Sequence, residues 1–430
     1  MKLSKRILSA FLAIVMVLST AIAVGASNVT FTDVSGHWAW TGGQIQYLVD
    51  KGVLNGYKQP NGTYKFVPNG EVTRAEFIKM LDETFGLTAT TSISFSDVKT
   101  TDWFYPYFAK AAAQGYLLNY GNSVSPNGKI TREEAISLLV RYLDLPANEK
   151  SDPSYFADYN SISENYRDNV LRGVYAGLID GYNEGGVKVF KPKGTLTRAE
   201  ALTILYRAAG CIYTGNAYSR DDGAADTNNV ITKGNVILNG INLTGRVIVT
   251  EGVTSGTVNL TGCSVNDTLY IRGTANVTLD DCRIEHLVIT NGCQLSVQNG
   301  TRIGSLTVCE TSSLNIYTGT TVETLVVENG AERTSVSGNG TVEMAYINAS
   351  GFTSLMVPVQ FQIGNNLTAT FASNQYQGSS DSQDAFSMTP FVTSDEANYY
   401  LNIFPAADGT VYYYFTNGSN PPTTVSFDSY

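Results

Sequence analysis

Histidine and cysteine are scarce in this chain of 430 residues, which holds two His, five Cys and no Cys-x-x-Cys pair. That scarcity excludes a recognisable zinc site, and five irregularly spaced thiols do not make a disulfide scaffold. The thiols read as packing residues, with a Cys263–Cys282 disulfide across a 19-residue spacing as the alternative. Cationic residues are also few: the net charge is −10, and from Thr334 to Tyr430 there is no Lys or Arg. A chain so charged has no general grip on a polyanion, which excludes nucleic acid as its broad partner. Long apolar runs are missing beyond the first 24 residues. The one run present, Ile7 to Val24, follows Lys2, Lys5 and Arg6 and ends at Gly25-Ala26-Ser27, the pattern of a secretory signal covering 1–26. An uncleaved anchor is the alternative; otherwise the mature chain is exported, with no membrane contact after cleavage. Disorder is excluded by a hydrophobic content of 43%, with 26 Tyr and 18 Phe to fill cores.

What the chain does have is repetition. Thr-Arg-(Ala/Glu)-Glu is written three times about sixty residues apart, as Thr73-Arg74-Ala75-Glu76, Thr131-Arg132-Glu133-Glu134 and Thr197-Arg198-Ala199-Glu200. Each copy closes a unit opened by Phe31-Thr32-Asp33, Phe95-Ser96-Asp97 or Phe156-Ala157-Asp158. Ile45, Leu48, Val49 and Val53 follow helical spacing before the loop of the first unit, and Phe77, Ile78 and Leu81 mark one face of a second helix starting at Thr73. Thr at the N-cap with Glu three residues on is a capping box, so those two positions are explained by helix formation alone. The Arg is not. A cation in the first turn opposes the helix dipole at a cost of about 0.3–1 kcal/mol, so its recurrence points to an anion held jointly by helix N-terminus and guanidinium. A surface or intramolecular ion pair is the plainer alternative.

With Phe31-x-Asp33-Val34, His37-Trp38, Gly52-Val53-Leu54-x-Gly56, Phe66-x-Pro68 and Thr73-Arg74-Ala75-Glu76, repeated in order in two further copies, the unit resembles the S-layer homology (SLH) domain. Repeats are placed at 28–89, 90–150 and 151–212. The resemblance implies an all-α, pseudo-trimeric array whose grooves bind a secondary cell-wall polysaccharide linked to peptidoglycan, often one carrying acidic pyruvyl ketals. It nominates Arg74, Arg132 and Arg198 as groove residues, with Asp33, Asp97, Asp158, Trp38 and Trp103 beside them. Aromatic faces stack on sugars, carboxylates accept hydroxyl hydrogen bonds, and Arg forks a carboxylate. For the two Trp, core packing is the competing reading; for the three Asp, it is an N-cap or turn role. The second copy has no Phe matching Phe66 or Phe190, and the third has no Trp, Tyr166 lying nearest. Three equally strong grooves are therefore not implied.

After an acidic linker, 213–229, the texture changes. Val236/Leu238, Val258/Leu260, Val277/Leu279, Leu295/Val297 and Leu314/Ile316 open successive units of about 18–22 residues. A second set follows about ten residues later: Val247/Val249, Leu269/Ile271, Leu287/Ile289, Leu306/Val308 and Leu325/Val327. Two strands per period predict a parallel β-helix, a β-solenoid over 230–352, with a Greek-key sandwich as the alternative. Six rungs at ~4.8 Å would make a rod of about 29 Å. Alternation near Val357, Tyr399 and Val411 predicts a small all-β domain or cap over 353–430.

The expected function is noncovalent anchoring of an S-layer or S-layer-associated surface protein to the cell wall, with the solenoid as spacer or interaction surface. Self-association and contacts with other surface proteins are compatible with it. No cofactor, metal or catalytic residue is implied. The alternative is a wall-anchored lyase or glycoside hydrolase using carboxylates among Asp267, Asp280, Asp281 and Glu285, with Arg272 and Arg283 nearby. Its two carboxyls would need to flank a cleft.

Overall fold

The computed structural model describes residues 30–117, 120–146, 152–219 and 228–378, and the backbone of strands Phe391–Val392, Asn398–Pro405 and Val411–Thr416. The expected signal segment lies outside the described residues.

Each motif starts a twelve-residue helix, Arg74–Phe85, Arg132–Leu143 or Arg198–Ala209, and each helix is opened by a complete capping box. Phe77, Ile78 and Leu81 are fully buried, as their spacing predicts. The helix before the first loop is Gln44–Asp50; Val53 lies beyond its end but is buried all the same.

The array is not all-α. Tyr57–Lys58 pairs antiparallel with Tyr64–Lys65, and Tyr182–Glu184 with Val187–Val189. The local cause is the last Gly of each Gly-x-x-x-Gly step. A Cβ on Gly56 would lie 2.2 Å from the Phe31 ring and 2.7 Å from the Lys65 carbonyl, and one on Gly181 would lie 2.6 Å from Phe156 and 2.5 Å from the Val189 carbonyl. Only Gly lets the hairpin close onto the aromatic ring below it. In the second copy Val124, 1% exposed, takes the buried place of Phe66 and Phe190, so a smaller side chain fills that position.

The repeats close into a ring. Val72 N–H donates to Leu196 O at 3.0 Å, Leu196 N–H to Ile130 O at 3.2 Å, and Ile130 N–H to Val72 O at 3.0 Å. The three side chains are buried at the centre of this exchange.

From Cys211 onward the strands form two stacked parallel sheets, one running from Cys211–Tyr213 to Gln360–Ile363 and the other from Asn216–Ser219 to Thr368–Phe371. Val258, Val277, Leu295 and Leu314 share one column, and Leu269, Leu287, Leu306 and Leu325 another. All are buried, which confirms the period and excludes the sandwich, whose neighbours would run antiparallel. The solenoid makes about 8 turns. It is longer than the 230–352 segment because the strands at Cys211–Tyr213 and Asn216–Ser219 already belong to it and those up to Phe371 continue it. Strand Asn374–Gln377 then turns back antiparallel and closes that end, its Tyr376 packing on Phe361 and Phe371, with Phe352 against Phe371 beneath. Cys263 and Cys282 stack as free buried thiols, donating to Leu238 O at 3.4 Å and Leu260 O at 3.2 Å.

The solenoid packs side-on against the triplet. Tyr213, Ile231 and Val249 point into the solenoid core, while Ile212, Val230 and Ile248, one residue before each, join the triplet's core. Strand alternation thus gives one sheet two cores. Across the seam, Arg246 donates to Leu143 O at 2.7 Å and Arg272 to Tyr142 O at 2.9 Å, both at the carbonyl end of helix Arg132–Leu143.

Candidate functional site

Each motif helix docks onto the next repeat. Arg74 N–H and Ala75 N–H donate to Gly128 O and Pro126 O; Arg132 and Glu133 N–H to Gly194 O and Pro192 O; Arg198 and Ala199 N–H to Gly70 O and Pro68 O. The capping Thr takes the N–H of the third helical residue. The first three amides of every motif helix are therefore occupied by protein. This corrects the expectation that helix N-terminus and guanidinium hold an anion together: the amides have no capacity left, and only the guanidinium remains as a candidate.

The three Arg occupy related but unequal settings, each over a Tyr ring of the next repeat: Arg74 over Tyr120 at 5.7 Å, Arg132 over Tyr182 at 4.6 Å and Arg198 over Tyr57 at 5.0 Å. Arg74 forks the Glu134 carboxylate at 2.7 and 2.9 Å and also donates to Val124 O and Ser125 O at 3.0 and 2.6 Å. Burial works against its charge, but Glu134 and Tyr120 together outweigh burial and hold the guanidinium above its ordinary pKa. Arg132 donates to Phe190 O, Tyr182 Oη and Asp180 O at 2.9, 3.0 and 2.7 Å, and the Tyr182 hydroxyl passes on to Glu200 at 2.8 Å. Burial lowers its pKa, with no carboxylate in direct contact. Arg198 makes only two longer bonds, to Tyr57 Oη at 3.3 Å and Asn55 O at 3.1 Å.

Arg198 also opens onto a cavity of about 360 Å³ whose lining includes Tyr57, Glu76, Lys79, Glu83 and Trp103. Trp103 is 53% exposed and Trp38 is 51% exposed, so neither is a core residue. Trp38 opens the short helix Trp38–Thr41, which packs on Arg198–Ala209. Tyr166, standing where the third repeat lacks Trp, is half-buried beneath Arg141.

The three Asp have a structural role. Asp33 accepts from Phe66 and Val67 N–H, Asp97 from Val124 and Ser125 N–H, and Asp158 from Phe190 and Lys191 N–H, all at 2.7–3.0 Å. The second residue of each pair is left-handed, with φ of 60°, 47° and 57° at Val67, Ser125 and Lys191. The carboxylate clamps a backbone turn that L-residues disfavour, just before Pro68, Pro126 or Pro192. Asp33→Ala should therefore cost about 1–3 kcal/mol in urea unfolding and leave ligand affinity per folded molecule unchanged.

Lys79, Tyr57 and the role of the capping Glu as an Arg partner were not nominated from sequence. The repeated Gly56-Tyr57 and Gly181-Tyr182 steps carry a signal for the tyrosines; nothing in the spacing marks Lys79. Asp280 accepts from Asn299 at 2.7 Å, Asp281 turns the chain at φ 53°, and Asp267 lies 3.9 Å from Arg246.

The family described as S-layer homology domain matches residues 30–78, 94–136 and 155–202. The chain is similar to an amylopullulanase of Thermoanaerobacterium thermosulfurigenes, at 33% identity over 41% of this chain and 9% of that protein. It is similar to the exoglucanase XynX of Acetivibrio thermocellus, at 32% identity over 42% of this chain and 16% of that protein. It is also similar to the S-layer protein sap of Bacillus anthracis, at 31% identity over 46% of this chain and 23% of that protein. The chain thus spans less than a quarter of the length of these relatives. Three family matches fall on three units joined in a ring: residues 30–202 carry three S-layer homology domains, and a β-solenoid follows them.

Proposed function

We propose that this chain is a cell-surface protein that holds noncovalently to a cell-wall polysaccharide through its S-layer homology triplet and presents the solenoid as a spacer or interaction surface. The observation that carries this reading is the Arg198 groove, where a guanidinium with no carboxylate within 4.0 Å among the described residues shares a cavity with an exposed Trp103. A cation and a flat aromatic face together suit an acidic sugar: the guanidinium forks its carboxylate and the indole covers its ring. Relatives named as S-layer proteins and as glycan-active enzymes share this part of the chain's sequence, consistent with a portable anchor. The solenoid is proposed to be non-catalytic, its candidate Asp residues serving turns and an ion pair.

The test is co-sedimentation of the purified chain with cell walls before and after acid stripping of their attached polysaccharide. Binding to intact walls and loss of binding to stripped walls is the expected result. Equal retention on both would remove the polysaccharide from the reading.

A further inference from the structure

We propose that the seam between triplet and solenoid is a pH-sensitive joint: it accommodates Glu251 as the neutral acid, and ionisation of that carboxyl loosens the hold of the solenoid on the triplet. Such a joint is independent of what the triplet binds.

Glu251 follows the strand Val247–Val249, whose Ile248 joins the triplet's core, and is itself 7% exposed. Its backbone is tied to the triplet, because Thr88 Oγ donates to its carbonyl at 2.8 Å and Gly252 after it stands close against Gly86. Oε2 of Glu251 is buried with no hydrogen-bond partner among the described residues, and so are the hydroxyls of Tyr116 and Tyr142. Those two rings meet edge to face at 5.9 Å. The groups that face the carboxyl are these two tyrosines and Arg272, which comes from the next turn of the solenoid. Arg272 lies 5.1 Å over the Tyr142 ring and spends Nη1 on Tyr142 O at 2.9 Å, so Glu251 Oε2 receives no bond from it. On the triplet side Asp82 faces both tyrosines. It is buried too, paired with Lys110 at 3.0 Å, with Glu83 beside it and Tyr107 turned towards it.

An ionised carboxylate shut in with an unfilled oxygen is costly, whereas the neutral acid loses little on burial. The protonated carboxyl also carries a donor, and the partnerless phenol oxygens beside it are acceptors. Burial accordingly pushes the Glu251 carboxyl above its ordinary range, with Arg272 offsetting only part, and pushes Asp82 up to about 6 against the pull of Lys110. Both acids hold a proton in the closed seam at a pH where the unfolded chain has released it. The stability linked to them is complete in acid and is lost as the pH rises, through about 6 for Asp82. Glu200 in the ring works the other way: burial raises it, but its bonds to Thr197 and Tyr182 outweigh burial and hold it below the usual range. Its share of stability is full above the ordinary carboxylate range, so the ring has no reason to weaken between pH 5 and 8.

Hydrogen exchange of the full chain at pH 5 and pH 8, expressed as protection factors, tests this. The seam amides are Leu87, bonded to Asp82 O, and Val253, bonded to Thr250 O; the ring amide Leu196, bonded to Ile130 O, is the control. Protection at Leu87 and Val253 should fall about tenfold or more from pH 5 to pH 8, the effect of a one-unit shift, while Leu196 stays unchanged. Glu251→Gln, neutral and of the same shape, should restore most of the lost protection at pH 8 and change little at pH 5. Asp82→Asn should remove the remaining dependence, centred near pH about 6. Equal seam protection at the two pH values, or a parent-like loss in Glu251→Gln, overturns the role of Glu251. A parallel loss at Leu196 overturns the seam as the place where the charge acts.

Discussion

Replacing Arg74 with Gln is expected to destabilise the chain by about 3–5 kcal/mol, the range seen when one partner of a buried ion pair is removed. The Arg74 and Glu134 side chains are 9% and 15% exposed. Once the guanidinium is gone, Glu134 keeps the Thr131 N–H at 3.0 Å but loses both bonds of the fork. Val124 O and Ser125 O lose their side-chain donor as well. Part of the cost is therefore a stranded charge, and Arg74→Gln with Glu134→Gln should recover some of it. The same substitution at Arg198 breaks no carboxylate pair and should cost under about 1 kcal/mol. Urea unfolding of the two single variants and the double variant measures all three values. If Arg74→Gln and Arg198→Gln proved equally mild, the claim that the carboxylate pair sets Arg74 apart from Arg198 would fail.

Gly252→Val should separate the triplet from the solenoid. A Cβ at position 252 would stand 2.3 Å from Gly86 O and 3.4 Å from Thr232 O, and neither backbone oxygen can rotate away as a side chain could. Gly86 ends the first motif helix in a left-handed turn at φ 64°, which leaves that carbonyl little freedom to yield. The seam must open. Thr88 Oγ, bonded to Glu251 O at 2.8 Å, sits beside the clash, and the Arg246 and Arg272 bonds to the second motif helix belong to the same seam. Overpacking of this kind costs about 1–3 kcal/mol or more, and here the cost falls on the coupling. Calorimetry should show one thermal transition in the parent chain and two in Gly252→Val. One unchanged transition in the variant would mean that the seam does not join the halves.

The sequence made the capping boxes legible because Thr and Glu act within a single helical turn. It also made the solenoid legible, because Val258, Val277, Leu295 and Leu314 recur at a period that only stacking explains. The partners of Arg74, Arg132 and Arg198 could not be read in the same way. Each lies in a different repeat, about fifty to sixty or more residues away along the chain. Which of the two weighed roles an Arg plays depends on the neighbour: at Arg74 the plainer reading, an internal ion pair, is the one realised. The hairpins are not legible in the sequence because two- and three-residue strands carry no alternation; the only signal for them is Gly56 and Gly181, which also belong to the repeat motif. The start of the solenoid at Cys211 is not legible because its strand follows the helix ending at Ala209 after Gly210 alone, with no turn sequence to mark the change.

The exchange among Val72, Leu196 and Ile130 sets a limit on copy number. Each edge has one donor and one acceptor, and the third step returns to the first, so the ring is saturated. Duplicating a repeat in tandem would give a fourth edge with no vacancy to enter, and deleting one would leave a donor and an acceptor facing water. Lengthening such a protein is therefore open only outside the ring, and the stackable solenoid lies on that side.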